Sequence, residues 1–384
     1  MKRRNFLIGA TAITLAEFLA GCETQGDLNI QLLKNTIPAQ MVSRFKRELT
    51  SQSTLNFKPQ ENLTELFSLL QSWQRKLLLE EQKSSTEQTK NINIANLVTL
   101  GDYWLANAIK QELIQPLNSE SLQNWNNLPK KWQELVKRNN QGYADPEGKI
   151  WAAPYQWGTT LIAYRVDKFK ALGWQPTDWS DLWKEELRHR FSLLNQPREV
   201  IGLTLKKLGK SYNAKNLSKV ENLKSELVKL NQQVKYYASN NYLQSLIIGD
   251  TWLAVGWSND ILPLIKTRKD IAAVIPKSGT ALWSNLWVKP AATVETSLTE
   301  KWIDFCWETE IAEQMSLITQ TTSPIIPGIN PTELTSEIKD NSLLLPPEDI
   351  LEKSDFLYPL ADSTIEQYRQ LWREIRLFVG MKSG

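Results

Sequence analysis

Histidine is almost absent from this chain: 384 residues include one, His189, and cysteine occurs only at Cys22 and Cys306. That scarcity excludes zinc centres built from His and Cys, and leaves no Ser-His-Asp triad unless His189 serves it. His189 lies between Arg188 and Arg190 and reads as part of a solvated basic surface. Cys306, within Trp302-Ile303-Asp304-Phe305-Cys306-Trp307, reads as a small apolar residue on a buried helix face. No cofactor and no metal site are expected, and any catalysis would fall to carboxylates. The apolar run Phe6 to Ala20 is too short to span a bilayer, which takes about 20 residues.

That run belongs to a leader, residues 1–21. Lys2, Arg3 and Arg4 form its charged start, and Arg3-Arg4-Asn5-Phe6-Leu7 resembles the twin-arginine signal that exports folded proteins. Leu19-Ala20-Gly21-Cys22 resembles a lipobox, which implies cleavage before Cys22 and lipidation of its thiol. The mature protein would then sit outside the cytoplasmic membrane on a short leash, Glu23 to Asp27, and Cys306 would have no disulfide partner. Three cationic residues and one anionic residue of the formal +3 lie in the leader, so the remainder carries +1. A nearly neutral protein offers no footprint for nucleic acid.

The length predicts two domains, and 41% hydrophobic with 23% charged residues is an ordinary globular balance. From Leu28 the pattern alternates. Leu28, Ile30 and Leu32 predict a strand, and Met41, Val42, Phe45 and Leu49 one face of a helix. A short strand near Leu55–Phe57 precedes Asn62-Leu63-Thr64-Glu65, a capping box opening a helix to about Gln82, with a surface loop over Lys83–Lys90. Ile94–Leu100 is the next strand. This order argues for a mostly parallel α/β sheet, whose ligands bind beyond strand carboxyl ends. Asp102 and Tyr103 fall at such an end, where Asp102 can either cap the following helix or meet a ligand.

Trp151 to Arg165 is predicted to cross between two lobes: a short strand, Ile150–Ala153, is interrupted by Pro154, and a buried run, Thr159–Tyr164, follows. Pro197 opens a helix, Arg198–Leu208, that places Glu199 in its first turn, in either a dipole-stabilising or a ligand role. Asp250–Asn259 predicts a strand ending on an aromatic, and Gly279–Val288 a hairpin-like second crossover. Thr299–Ile318 predicts one apolar-faced helix, and Ile365–Val379 a terminal helix. Sixteen tryptophans are many for this length, and Trp104, Trp157, Trp257 and Trp283 stand at strand ends or crossovers. Indole faces there suit cations or sugars, although most of the sixteen serve packing.

Pro154-Tyr155-Gln156-Trp157-Gly158-Thr159-Thr160, Trp179-Ser180-Asp181-Leu182-Trp183 and Arg198-Glu199-Val200 resemble, in that order, segments of the spermidine/putrescine-binding family of solute-binding proteins of ABC importers. The resemblance implies a two-lobed α/β fold of the periplasmic-binding-protein type II, a mixed sheet flanked by helices in each lobe. It sets lobe 1 at 28–159 plus 286–330 and lobe 2 at 160–285 plus 331–384, with the ligand between them. It implies no enzyme, but a lipid-anchored, monomeric component that captures a polyamine or related amine by hinge closure and passes it to permease subunits in the membrane. Glu199 falls on an acidic ligand residue of the family, Trp257 and Trp283 on its flanking tryptophans, and Tyr103 on a lobe 1 tyrosine. Gln196 and Asn285 stand where the family has aspartates, and Leu33-Lys34-Asn35-Thr36 replaces its Trp-Thr-Glu-Tyr. The expected ligand set is therefore Tyr103, Gln196, Glu199, Trp257, Trp283 and Asn285 with Asp102. An amide gives a dipole where an ammonium asks for a charge, and Lys34 would repel a cation. Three alternatives follow: a binding protein for a neutral or zwitterionic solute such as a sugar or amino compound, a glycosidase using Asp102 and Glu199, and a scaffold without transport.

Overall fold

A computed structural model describes residues 28–49, 53–81 and 93–377. The leader, Cys22, its leash and the predicted loop Lys83–Lys90 lie outside the described residues. The rest forms a two-lobed α/β fold on an eleven-stranded mixed sheet. Leu55–Gln60, Leu28–Leu33 and Leu97–Gly101 run parallel, and Ala281–Pro290 joins their edge antiparallel. Ala153–Arg165 follows, and beyond it come Leu253–Trp257, Phe191–Leu193 and Tyr236–Tyr237. Helices cover the sheet, so strands such as Leu97–Gly101 are buried along their whole length.

The long strand Ala153–Arg165 belongs to both halves. Its first half pairs with Ala281–Pro290 (Leu282↔Thr159, Trp283↔Gly158) and its second with Leu253–Trp257 (Val255↔Ile162, Trp257↔Thr160). Side chains alternate across a strand, so Leu161 and Ala163 enter one apolar core while Ile162 and Tyr164 enter the other. The second core is closed by the helix Asp362–Leu377 through Tyr368 and Ile375. The chain passes between the halves again near its end, where Phe356 packs in the first core and Leu360 in the second.

Several predicted elements differ. Ile150–Ala153 and Thr159–Tyr164 are not separate strands across a proline break; Ala153–Arg165 is one strand. The missing N–H of Pro154 is accommodated by a register shift in the partner between Asn285 and Leu286, which bulges the pairing at Tyr155. Gly279–Val288 is no hairpin: Ala281–Pro290 runs straight, pairing with Leu97–Gly101 on one side and the long strand on the other. Thr299–Ile318 divides into Leu298–Cys306 and Thr309–Thr319, with Glu308 extended between them. There the Trp307 indole is pinned, donating to the Pro154 carbonyl at 2.6 Å. Half of the capping box at Asn62 is made: Asn62 Oδ1 accepts from the Glu65 N–H at 3.0 Å, whereas Glu65 Oε2 accepts from the N–H of Glu61, one residue before the cap, at 3.1 Å.

Candidate functional site

Pro197 occupies the start of the helix Pro197–Lys207, separated by three residues from the strand Phe191–Leu193, and this fixes Glu199 in the first turn, beyond the carboxyl end of that strand. Glu199 is 6% exposed. Its Oε1 accepts from Thr160 Oγ1 at 3.0 Å and Trp257 Nε1 at 3.3 Å, while Oε2 is buried without a partner. Burial pushes this carboxyl up to about 7, against the opposing pull of those two donors and of the Arg198 guanidinium.

Trp257 is positioned by its pairing with Thr160 and by its own N–H, which donates to Tyr242 Oη at 3.0 Å. Tyr242 Oη donates in turn to Asp260 Oδ2 at 2.8 Å, and its ring meets the indole edge-on at 6.0 Å. Trp283 lies opposite Gly158, and that glycine makes room for it. A Cβ at Gly158 would stand 2.4 Å from the Trp283 ring and 2.2 Å from Ser258 Oγ. The Trp283 Nε1 is buried and donates to nothing.

Asp102 and Tyr103 begin the helix Asp102–Lys110 where Leu97–Gly101 ends. Gly101 takes the cap position, so Asp102 is the first helical residue and makes no side-chain bond as an N-cap. Its half-buried carboxyl is pushed up to about 7 by desolvation, opposed by the N–H groups of Ser284 and Tyr103 and by the charge of Arg138. Ser284 follows Trp283 in the chain, so Asp102 borders the same strand as the indole. Tyr103 is 66% exposed with its ring edge-on to Trp104 at 5.4 Å. Asn285 is buried opposite Gly101, and its Nδ2 donates to Gln156 Oε1 at 3.4 Å. Gln196 is exposed at the helix start and makes no side-chain capping bond. Lys34 is ion-paired with Glu61 at 2.8 Å, which offsets its charge.

A sequence profile of the family described as bacterial extracellular solute-binding protein matches residues 93–354, a span that holds all of these residues but Lys34 and its partner Glu61. The chain belongs to that family. The spermidine/putrescine-binding periplasmic protein 1 of Haemophilus influenzae is 26% identical over 282 residues, 73% of this chain and 74% of that one. The putrescine-binding periplasmic protein PotF of Escherichia coli is 25% identical over 303 residues, 73% of this chain and 78% of that one. Among solved structures, the spermidine/putrescine ABC transporter substrate-binding protein PotD of Streptococcus pneumoniae superposes with a TM-score of 0.74 at 19% identity, covering 91% of this chain and 98% of that one. A periplasmic thiamin binding protein superposes at 0.54 with 14% identity, over 91% and 94% of the two chains.

Several residues not nominated from the sequence surround these side chains. Thr160 and Tyr242 hold Glu199 and Trp257. Arg198 donates through Nη1 to the Tyr358 carbonyl at 3.1 Å and through Nη2 to Asn213 Oδ1 at 3.0 Å. Arg138 is 2% exposed, donates through Nε to the Leu135 carbonyl at 2.8 Å, and lies 4.9 Å from the Tyr358 ring centroid. Thr160 and Arg198 sit inside the quoted motifs and could have been nominated from them. Nothing local marks Arg138 or Tyr358. No helix among the described residues is long and apolar enough to cross a membrane, and none of their His, Cys, Asp and Glu form a group of three or more suited to a metal.

Proposed function

We propose that this protein is the substrate-binding component of an ABC importer, capturing a small amine, with polyamines as the first class to consider, and delivering it to a permease. Residues 28–159 with 286–330 and 160–285 with 331–384 would act as the two lobes, closing on the ligand because only the closed state offers contacts from both. The lipid on Cys22 would tether a monomer outside the cytoplasmic membrane.

One observation carries the amine: Glu199 is a buried carboxylate with Oε2 unpaired, its other oxygen held by the indole of Trp257, while Trp283 packs on Gly158, two residues from Thr160 in the same strand. A carboxylate oxygen lacking a donor, walled by aromatic rings, is what an ammonium group satisfies. The contacts proposed are Glu199, Trp257, Trp283 and Tyr103, with Asp102, Gln196 and Asn285 around them. A glycosidase would need its carboxyl groups pushed apart into acid and base, yet burial lifts Asp102 and Glu199 alike to about 7.

Thermal unfolding against putrescine, spermidine, amino acids and sugars tests the proposal, since a ligand of the native state raises the midpoint by mass action. A rise with an amine that disappears in Glu199→Gln supports it. A rise with sugars alone, or with none of the compounds, overturns it. Retention of Cys22→Ala in the membrane fraction would overturn the tether.

A further inference from the structure

The parallel strands Leu28–Leu33, Leu55–Gln60 and Leu97–Gly101 all start at one end of the first half. The helix Leu63–Glu81 joins the second of them to the third and so runs back to that end, and Ala281–Pro290, antiparallel to the third, finishes there. Contacts tie these termini together. The Asn29 N–H donates to Asn96 Oδ1 at 2.7 Å, Asn96 Nδ2 donates to the Val294 carbonyl at 2.9 Å, and the Ala291 N–H donates to the Leu113 carbonyl at 3.0 Å. Trp73 and Leu77 of the helix line one apolar groove with Ile94, Leu113, Pro290 and Ala292.

This pole carries apolar surface that the fold leaves exposed: Val294 is 68% exposed, Leu78 49% and Leu79 51%. Leu78 extends by one helical turn the row of Gln74, which also lines the groove. Charges of both signs stand beside the patch, Arg75 and Lys76 against Glu80 and Glu112, so burial of apolar surface rather than net charge is what it offers a partner. The chain itself says which partner comes near. Leu28 begins the first strand at this pole, and the six residue steps from Leu28 back to Cys22 reach roughly 20 Å at full extension.

We propose that this pole rests on the bilayer that holds the Cys22 lipid, with Leu78, Leu79 and Val294 entering the boundary between headgroups and acyl chains. This rests on the tether reading above and adds an orientation to it. Three exposed side chains would hold a free protein weakly, but a leash of this length makes their contact intramolecular. Asp102 and Tyr103 stand beyond the opposite end of Leu97–Gly101, roughly 15–20 Å off, so the contact keeps that edge of the site clear of the lipid.

The lipidated full chain in phosphatidylcholine vesicles tests this. A fluorophore is attached at Val294→Cys or, for reference, at Ile248→Cys, which is 67% exposed and lies within 160–285; Cys306 is buried and the Cys22 thiol carries the lipid. Spin labels on the upper acyl chain quench a fluorophore only where it enters that layer. The expected result is quenching at 294 at least about threefold that at 248, insensitive to salt, and falling to the level of 248 when Leu78→Ser and Leu79→Ser are added. Equal quenching at the two positions, none at either, or quenching at 294 that survives the two serines overturns the orientation, while a chain that still floats with the vesicles leaves the tether reading standing. Shielding of 294 only when permease subunits are added makes the face a protein-docking surface and overturns the proposal as well. If the chain does not stay with the vesicles, tether and orientation both fall.

Discussion

The indole N–H of Trp257 and the hydroxyl of Thr160 both donate to one oxygen of Glu199, at 3.3 and 3.0 Å, while the other oxygen is buried without a donor. Thr160 and Trp257 are direct partners on neighbouring strands, so the pairing that builds the sheet also aims the carboxylate. Half of the group is satisfied by the fold, and half is left for something else.

Replacing that carboxylate with its neutral isostere should therefore act oppositely on binding and stability. Glu199→Gln loses a charge-assisted hydrogen bond to an ammonium, worth about 1.5–3 kcal/mol, so amine affinity should fall roughly ten- to a hundredfold. The ligand-free protein should unfold at a higher temperature at pH 8, because a desolvated charge has been removed. Calorimetry and thermal unfolding read the two effects separately.

The raised carboxyls predict two opposite pH dependences. Glu199 and Asp102 hold protons up to about 7 in the folded state, well above the unfolded carboxyl range. The folded state thus binds more protons than the unfolded state from about pH 4 to 7, and the stability of the empty protein should fall as pH rises through that window. Amine binding requires the ionised form of Glu199, so affinity should rise about tenfold from pH 6 to pH 8. Titration in buffers of different ionisation enthalpy should show proton release near pH 7, and Glu199→Gln should remove most of that dependence.

Gly158→Ala should impair the site through Trp283. A methyl group there meets the ring at 2.4 Å and Ser258 Oγ at 2.2 Å, and Ser258 Oγ also accepts the Thr159 N–H at 3.0 Å. Displacing the indole should weaken ligand affinity by about tenfold or more and shift the tryptophan emission of the ligand-free protein. The cost in stability should be about 1–3 kcal/mol, as for other overpacked positions.

Gly202→Ala offers the contrast. Its Cβ would fall 1.9 Å from the ring of Tyr212, inside the second core and within the helix that carries Glu199. A comparable loss of about 1–3 kcal/mol is expected in denaturant unfolding. Among molecules that remain folded the Glu199 carboxylate is still present, so amine affinity should fall less than in Glu199→Gln.

What the sequence disclosed follows the range of the forces involved. The Leu28-Ile30-Leu32 alternation, the Asn62 cap and Pro197 at a helix start are local rules, and they placed strands, helices and the Glu199 turn within a residue or two. Pro154 misled because its relief comes from a register shift at Asn285, remote in sequence. Trp307 ends its helix through a bond to the Pro154 carbonyl, a contact no helical periodicity encodes. Arg138 was invisible for the same reason: its surroundings, Asp102 and Tyr358, are assembled only by folding.

Ala153–Arg165 and Ala281–Pro290, which run from one half towards the other, are hydrogen-bonded neighbours from Leu282 opposite Thr159 to Trp287 opposite Ala153. Two separate strings would let one half swing freely. A bonded two-stranded ribbon behaves as a leaf spring: it resists shear between its strands, bends most easily across its face, and has its weakest point at the bulge beside Tyr155. Any rotation of one half against the other must flex both strands together, and Trp283 and Gly158, facing each other on that ribbon, would move as one.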